Sequence, residues 1–257
     1  MGNAVRHSGQ STLRTAMIES PLTLAAVADR PLRLVSDDVQ IVPRERSEIA
    51  SRVMNVTIAA LALFVMLPVL ALIALAVWLS SKGPVIYMQV RVGEDRRGGS
   101  MRDDSRRRHD YGGRLFKMYK FRTMRVDAEA NGKAVWAQQN DPRTTSIGAF
   151  LRKTRLDELP QLWNVIVGDM NIVGPRPERP SIFAQLREEI PMYAQRQRVK
   201  PGITGWAQVN QAYDTCLDDV KNKVQLDLEY VQQRSVVHDL RIMSMTLPVM
   251  IHRAQGW

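Results

Sequence analysis

The sequence predicts an α/β fold that is mostly helical, with a small sheet near the functional site. It also predicts a membrane-embedded re-entrant helix–break–helix and amphipathic helices along the membrane interface. Residues 56–79 carry no charge and contain Pro68 near their midpoint. Two segments rich in β-branched and aromatic residues follow, at 85–92 and 115–121. Helical periodicity interrupted by prolines covers most of the chain from residue 141 onward.

Three segments divide the 257-residue chain. Residues 1–46 have mixed polarity and no clear periodicity, so we expect a poorly ordered extension. Residues 47–82 form the membrane segment, and Ser47 is suited to cap its helix. Residues 83–257 form a domain outside the bilayer. Residues 94–114 interrupt this domain as a basic insertion with almost no apolar side chains, which either docks on anionic headgroups or is simply solvated.

The membrane segment predicts a hairpin that enters and leaves the bilayer on one side. About 20 apolar residues in a helix match the roughly 30 Å hydrocarbon core. Pro68 removes a helical hydrogen bond and therefore kinks or breaks the helix. Basic residues favour the cytoplasmic side, and they flank both ends of the run: Arg44, Arg46 and Arg52 before it, and Lys82, Arg91, Arg96 and Arg97 after it. An ordinary kinked span is the alternative.

The composition narrows the classes of partner. There are 36 Lys and Arg against 26 Asp and Glu, a formal net charge of +10. A basic surface suits anionic lipids, phosphorylated substrates or nucleic acid, and the membrane segment favours the first two. One cysteine, Cys216, excludes an internal disulfide framework, and four scattered histidines do not form a recognisable metal site.

Two helical patterns follow residue 141. Ile147, Phe150, Leu151 and Thr154 fall on one face, and another helix follows Pro160. The segment 200–210 reads as a Gly/Pro-framed turn with a short extended piece. The last forty residues are helical again, with Leu226, Tyr230, Val231 and Val237 spaced for one face. The apolar tail suits a core or the membrane interface.

An adjacent carboxylate pair, Asp157 and Glu158, is the first chemical candidate. Pro160 prefers the first turn of a helix, so we expect the pair at a helix amino terminus, where free N–H groups favour negative charge. Arg152, Lys153 and Arg155 lie within a turn of it. An ionised Asp157 in this setting suits a nucleophile, and paired carboxylates attract Mg²⁺. The alternative is that Asp157 is only an N-cap and Glu158 only a dipole partner.

Cations for phosphate binding form the second candidate. Arg176 lies between two prolines, and a rigidly held guanidinium binds phosphate oxygens with little entropy to lose. Strand alternation places Lys120 and Arg122 on one face, where two cations suit a diphosphate. A solvated loop and an ordinary solvated strand face are the alternatives. Carboxylates, phosphate-binding cations and a membrane segment together indicate phosphoryl transfer at a bilayer surface.

These residues carry a family resemblance. The strings KFRTM, DPRTTSIGAFLRKTRLDELPQLWNVIVGDMNIVGPRPERP and KPGITGWAQVN closely resemble the bacterial sugar transferases, the monotopic phosphoglycosyl transferases. The resemblance runs from about residue 51 to the carboxyl terminus. It implies that a sugar 1-phosphate passes from a UDP-sugar to undecaprenyl phosphate, releasing UMP and starting a surface glycan. It also implies an enzyme on the cytoplasmic face of the bacterial inner membrane, in contact with its lipids.

The resemblance implies a role for each matching residue. Asp157 attacks the β-phosphate to form an aspartyl phosphosugar, and Glu158 assists as metal ligand or acid/base partner, with Mg²⁺ bridging the phosphates. Arg176 holds a lipid or sugar phosphate. Lys120, Arg122 and Arg152 match basic family positions. Pro68 corresponds to the break of the re-entrant anchor, although Leu-Pro stands here where Ser-Pro is frequent.

This sequence differs from the family pattern in two places, and several alternatives stay open. Compact members join the two strands more tightly than residues 94–114 do. Larger members carry four more transmembrane helices, so this chain resembles the catalytic module alone. The tail resembles members that start exopolysaccharides with galactose or glucose. A catalytically inactive membrane-anchored scaffold is the main alternative, and a homo-oligomer is left open. A nucleic-acid binder is disfavoured because no recognisable module interleaves aromatic and basic residues.

Overall fold

The computed structural model describes residues 41–95, 113–126, 128, 141–211 and 217–252, with side chains through residue 249. Most of the predicted extension, residues 1–40, and most of the basic insertion, residues 96–112, lie outside these ranges. The described part is mostly helical with two small sheets, as the predicted fold class requires.

The membrane segment forms one long helix, α1, over Glu48–Ser80. Ser47 caps it as predicted, because its hydroxyl accepts a hydrogen bond from the Ala50 N–H at 3.2 Å. The helix continues through Pro68, so the predicted break into two helices is corrected to a single helix with a proline inside it. Proline has a helical φ, so the chain continues past the lost hydrogen bond. Among the described residues, α1 alone is long and apolar enough to cross a membrane.

One side of α1 packs on the rest of the protein along both of its halves. Ala59, with Ala62 and Leu63, packs against Phe116 and residues of the helix that follows the carboxylate pair. Farther along, Ile73 and Val77 pack with Phe121 and Leu151. The other side of α1 exposes large apolar side chains, which are Ile49, Val53, Leu61, Phe64, Val65, Leu67, Leu72, Leu75, Trp78 and Leu79. Such a surface suits lipid rather than water.

The two predicted strands form an antiparallel hairpin. Strand β1 covers Ile86–Val92 and β2 covers Leu115–Phe121, with Ile86 opposite Phe121 and Val92 opposite Leu115. The ladder extends into the ends of the basic insertion, where the Arg114 N–H donates to the Glu94 carbonyl at 3.1 Å. The hairpin therefore brings the two ends of the insertion together.

Short helices and turns follow the hairpin. Helix α2 covers Ser146–Thr154, a 3₁₀ turn covers Leu156–Glu158, and α3 covers Gln161–Val167. The helix predicted after Pro160 is confirmed as α3. Leu151 of α2 is buried, whereas Phe150 is 57 % exposed, so the face predicted from their spacing is only partly a core face.

A second sheet joins segments that are distant in sequence. Strand β3, Asn171–Val173, runs parallel to β4, Gly202–Thr204, which is the extended piece predicted within residues 200–210. Helix α4, Pro180–Glu189, and a 3₁₀ helix over Tyr193–Arg198 lie between them in the chain. The short helix α5 follows β4 over Trp206–Asn210.

Two long helices complete the main core. Helix α6 covers Leu217–Gln233 and α7 covers Val236–His252. Tyr230 and Val231 are buried as predicted. Val237 is 77 % exposed, because it belongs to the first turn of α7 and not to the same helix as Tyr230. The core combines α4, α6 and α7 side chains, among them Phe183, Leu186, Val220, Val224, Leu228 and Ile242.

Candidate active site

The carboxylate pair lies on the 3₁₀ turn between α2 and α3. Arg155 ends α2 in the left-handed conformation, with φ of 60°, which redirects the chain into the turn. Leu156 and Leu159 pack inward against the hairpin and α1. Asp157 and Glu158, between these two leucines, are 7 % and 8 % exposed. Apolar packing of the flanking leucines therefore fixes the position of the buried carboxylates.

The structure corrects the predicted relation of the pair to α3. The Leu162 N–H donates to the Leu159 carbonyl, and the Trp163 N–H donates to the Pro160 carbonyl. Pro160 has a helical φ of −62° and precedes the first residue of α3. The first N–H groups of α3 are thus paired with backbone carbonyls of the turn, and the carboxylates do not cap this helix.

Glu158 is held by two cations. Lys120 donates from Nζ to Oε1 of Glu158 at 2.8 Å. Arg176 donates from Nη2 to Oε1 at 2.5 Å and from Nη1 to Oε2 at 3.4 Å. The fold therefore brings together three of the predicted site residues, from β2, the 3₁₀ turn and the loop between two prolines.

Asp157 has a different environment from its neighbour. None of the described residues donates a hydrogen bond to its carboxylate. Burial, with the charge of Glu158, raises the pKa of Asp157 to about 6, against the opposing effect of Lys120, Arg176 and Arg155. Burial would also raise the pKa of Glu158, but Arg176 and Lys120 outweigh it and hold that pKa well below its usual range.

Asn164 of α3 aligns the elements that carry the cluster. Its Oδ1 accepts from the Tyr119 N–H at 3.1 Å, and its Nδ2 donates to the Lys117 carbonyl at 2.7 Å. The amide side chain thus continues the hydrogen bonding of β2 and binds α3 to the strand that carries Lys120. This arrangement fixes the approach of Lys120 to Glu158.

The loop that carries Arg176 is held from two sides. Arg196 is fully buried and donates to the Arg176 carbonyl at 3.2 Å, to Asp227 Oδ2 at 2.5 Å and to the Tyr193 hydroxyl at 2.9 Å. Arg91 of β1 donates to the Pro177 carbonyl at 3.0 Å. Two buried or half-buried arginines therefore hold the consecutive backbone carbonyls of Arg176 and Pro177.

Two predicted phosphate-binding residues do not join the cluster. Arg122 follows the end of β2 and donates from Nη2 to the Ser81 carbonyl at 2.6 Å and to its hydroxyl at 2.9 Å, at the carboxyl end of α1. Strand alternation ends with Phe121, so it does not place Arg122 beside Lys120. Arg152 donates to the Thr144 hydroxyl at 3.3 Å. A phosphate role for these two residues stays a prediction.

Several residues of the site received no role from the sequence, although it places Arg155 within a turn of the carboxylate pair. Arg155 lies close enough for its charge to act on both carboxylates, and burial with the nearby Arg176 lowers the pKa of its guanidinium. Asn164 binds the backbone of β2, Arg196 donates to the Arg176 carbonyl, and Asp227 accepts from Arg196. A charged residue at a position that the helical pattern predicts to be buried is the only sequence signal for Arg196 or Asp227, and it does not show that the two bind each other.

The carboxylates of Asp157 and Glu158 are only partly suited to bind a hard cation such as Mg²⁺. The described residues contain no cluster of three or more His, Cys, Asp or Glu side chains. The two adjacent carboxylates offer oxygen ligands of the kind that Mg²⁺ prefers, and this ion commonly takes one or two carboxylates plus substrate phosphates. The Asp157 carboxylate is free for such a contact, whereas both oxygens of Glu158 accept hydrogen bonds from cations.

This arrangement is suited to phosphoryl transfer. The buried Asp157 carboxylate, which accepts no hydrogen bond from any described residue, lies beside a cluster of Lys120, Arg155 and Arg176, whose charges can neutralise transferring phosphate oxygens. The apolar surface of α1 would bring a lipid-linked phosphate to the same protein. Fold and site together define a membrane-associated protein with the elements of a group transferase.

Comparison with known proteins agrees with that class. The sequence profile described as "Bacterial sugar transferase" matches residues 46–253, and the chain belongs to this family. The UDP-glucose:undecaprenyl-phosphate glucose-1-phosphate transferase of Escherichia coli (strain K12) is 42% identical over 203 residues, which cover 78% of this chain and 40% of the relative.

Two further relatives carry different names. The UDP-N-acetylgalactosamine-undecaprenyl-phosphate N-acetylgalactosaminephosphotransferase of Aeromonas hydrophila is 38% identical over 76% of this chain and 42% of its own length. The exopolysaccharide production protein PSS of Rhizobium leguminosarum bv. phaseoli is 37% identical over 76% of this chain and 92% of its own length. The chain thus spans less than half the length of the first two relatives and nearly all of the third.

Proposed function

We propose that this protein transfers a sugar 1-phosphate from a UDP-sugar to undecaprenyl phosphate and releases UMP. The observation that carries the proposal is the contrast within the carboxylate pair. Asp157 is buried and accepts no hydrogen bond from the residues that the structure describes, whereas Glu158 is bound by Lys120 and Arg176. The names of the E. coli and Aeromonas relatives support undecaprenyl phosphate as the acceptor and a UDP-sugar as the donor.

In the first step, a carboxylate oxygen of Asp157 attacks the β-phosphorus of the donor. A P–O bond forms to Asp157, and the bond from the β-phosphorus to the bridging oxygen breaks, so that UMP leaves with the electron pair. Its raised pKa of about 6 leaves Asp157 mainly ionised at neutral pH while making it more basic than an exposed aspartate. Lys120, Arg155 and Arg176 would stabilise charge on the phosphate oxygens.

In the second step, an oxygen of undecaprenyl phosphate attacks the phosphorus of the aspartyl phosphosugar. The acyl–phosphate bond breaks and the Asp157 carboxylate is regenerated, so the products are UMP and a lipid-linked sugar diphosphate. Before the donor binds, Glu158 holds Lys120 and Arg176 beside Asp157. Its low pKa keeps it ionised, and an ionised carboxylate is required to hold Lys120 and Arg176 together.

Mg²⁺, held by Asp157 and Glu158 together with the donor phosphates, would supply additional neutralisation of phosphate charge. For Glu158 to take part, Lys120 or Arg176 must move from its carboxylate toward the phosphates. The two cations are therefore suited to exchange one anion for another as the donor binds.

For the sugar, we propose galactose or glucose, and for the pathway, the start of an exopolysaccharide or another surface glycan. The name of the Rhizobium relative supports exopolysaccharide production, and that of the E. coli relative supports glucose. Since the Aeromonas relative carries N-acetylgalactosamine in its name, the sugar has to be determined by assay.

We also propose that α1 remains one helix but bends at Pro68, so that it enters and leaves the inner membrane from the cytoplasmic side. The contacts at its two ends support this topology. Near the start of α1, Arg52 donates to the Val165 carbonyl of α3 at 2.6 Å. At its end, Arg122 donates to the Ser81 carbonyl at 2.6 Å. A helix that crossed the bilayer would carry one of its ends roughly 30 Å from a domain on the other side.

The test is UMP release by the purified full-length protein with Mg²⁺, undecaprenyl phosphate and a panel of UDP-sugars. We expect UMP with one donor, and a loss of roughly a thousandfold or more in Asp157→Asn. Incubation without acceptor should leave a sugar phosphate on Asp157, detected by mass spectrometry. Asp218→Asn is the control, because the side chain of Asp218 is 82% exposed on α6. No UMP with any donor would overturn the enzyme assignment and favour the scaffold.

A further inference from the structure

Strand β1 has its polar residues on the inner face of the hairpin. Gln89 lies opposite Met118 and Arg91 opposite Phe116, and both of these partners are buried in the packing with α1 and α3. The outer face of the same strand carries apolar residues instead, with Met88 56% and Val90 44% exposed. Gln89 and Arg91 satisfy each other on this face, and Arg91 also donates to the Pro177 carbonyl, so the face carries an ordered polar pair beside the loop of Arg176.

The same face continues to the active site through Tyr87. Tyr87 lies directly opposite Lys120, and residues opposite each other in an antiparallel pair share one face with Cβ atoms about 5 Å apart. Lys120 in turn holds Glu158 at 2.8 Å. Tyr87 is 40% exposed, so its ring is accessible beside the cation cluster.

The side-chain amide of Gln89 is held in a fixed orientation between Tyr87 and Arg91. Its Oε1 accepts from Arg91 Nη2 at 2.5 Å, and its Nε2 donates to the Tyr87 hydroxyl at 3.3 Å. Arg91 is held by the Pro177 carbonyl and lies 3.9 Å from Glu178 Oε2. The half-exposed ring of Tyr87 and the oriented amide of Gln89 therefore lie side by side, next to the loop that carries Arg176.

We propose that Tyr87 and Gln89 form the subsite for the uracil base of the donor nucleotide. An aromatic ring stacks on a planar base. The amide can donate to a uracil carbonyl and accept from the ring N–H, because an amide oxygen accepts two hydrogen bonds. The diphosphate would then extend from this subsite toward Lys120 and Arg176. The inference rests on the proposed function, since it assigns part of the donor to a surface beside the same dyad.

The test measures nucleotide binding apart from turnover. The dissociation constants of UMP, CMP and glucose 1-phosphate are determined by calorimetry for the full-length protein in detergent. In Tyr87→Ala we expect the Kd of UMP to rise about tenfold, and in Tyr87→Phe, which keeps the ring, to change little. Met88→Ala is the matched control, because Met88 lies on the opposite face of the same strand.

Gln89→Glu supplies a signature that a structural defect would not produce. A carboxylate keeps the contact with Arg91 but repels the uracil carbonyl, while it accepts from the amino group of cytosine. We expect the ratio of the Kd of CMP to that of UMP to fall by about tenfold or more.

The outcomes separate the subsite from the proposed function. Wild-type affinities for UMP and CMP in Tyr87→Ala and Gln89→Glu would overturn the subsite alone. If these variants bind glucose 1-phosphate more weakly but UMP as tightly as the wild type does, Tyr87 and Gln89 contact the sugar, and the uracil assignment is overturned. A wild-type protein that binds none of the nucleotides and releases no UMP would overturn both proposals.

Discussion

Asp157 and Glu158 are adjacent in the chain, yet within the described part of the structure only Glu158 is bound by cations. Lys120 and Arg176 both reach Oε1 of Glu158, at 2.8 and 2.5 Å. Burial, together with the charge of Glu158, raises the pKa of Asp157, while Arg176 and Lys120 hold the pKa of Glu158 well below its usual range. Two carboxylates whose pKa values are driven apart by their surroundings are suited to different tasks. Here the division is between a nucleophile and a residue that organises the cations.

The stability of an Asp157→Asn variant tests this division. Because the pKa of Asp157 is raised from 3.8 to about 6, the folded protein binds more protons than the unfolded chain across this window. Stability therefore falls as the pH rises through it, and the ionised group destabilises the fold at neutral pH. We expect the variant to gain on the order of 1 kcal/mol, with an equal or higher Tm by calorimetry, while losing activity. A clear decrease in Tm would contradict the assigned environment.

The Glu158→Gln variant should behave in the opposite way. Its loss removes the buried carboxylate that both Lys120 and Arg176 bind, and breaking such a pair costs on the order of 3 kcal/mol. We expect denaturant unfolding to show a decrease of that order in the free energy of unfolding at neutral pH. Glu188→Gln, at an exposed position of α4, is the control. An unchanged stability would mean that the cations do not depend on Glu158.

The pH dependence of the rate follows from Asp157. A protonated carboxyl group cannot attack phosphorus, so kcat/KM should fall about tenfold per unit below about pH 6 and be level above it. The pKa of Glu158 is held well below its usual range, so Glu158 stays ionised over this interval. Initial rates of UMP release between about pH 5 and about pH 8 supply the measurement. A rate that stays constant down to about pH 5 would argue against a nucleophile in this environment.

Arg122 provides a test of a predicted phosphate contact. Its guanidinium binds the Ser81 carbonyl and hydroxyl, so Arg122→Met should lower the free energy of unfolding by about 2 kcal/mol. The KM for the UDP-sugar should change little, whereas Arg176→Met should impair turnover strongly. Both variants are compared by thermal unfolding and by steady-state kinetics. A raised KM in Arg122→Met without loss of stability would restore the phosphate role.

The topology of α1 can be decided by labelling. Cysteines replace Glu45 and Lys82, exposed residues on either side of the helix, in a Cys216→Ser background. With both ends on the cytoplasmic face, a membrane-impermeant maleimide should label both positions in inverted membrane vesicles and neither in intact spheroplasts. One labelled position in each preparation would establish a single crossing.

Local pattern was sufficient for several elements. The alternation of residues 115–121 predicted β2 with its observed bounds, and Pro160 correctly marked the start of the next helix. Pattern was insufficient at Arg122, because β2 ends at Phe121 and alternation has no meaning beyond it. At Pro68, the sequence predicted an interruption, but packing and helical pairing on both sides keep α1 continuous.

The sequence by itself determined the chemical groups of the site, the apolar segment and most of the secondary structure, because these depend on residue type and on spacing within a few turns. Only the tertiary structure decided which carboxylate is bound by cations and which is left free. Lys120 and Arg176 lie 38 and 18 residues from Glu158, and β2 and the proline-flanked loop carry them to it. The pKa of each carboxyl then depends on burial and on neighbouring charges, which exist only once these distant segments are packed together.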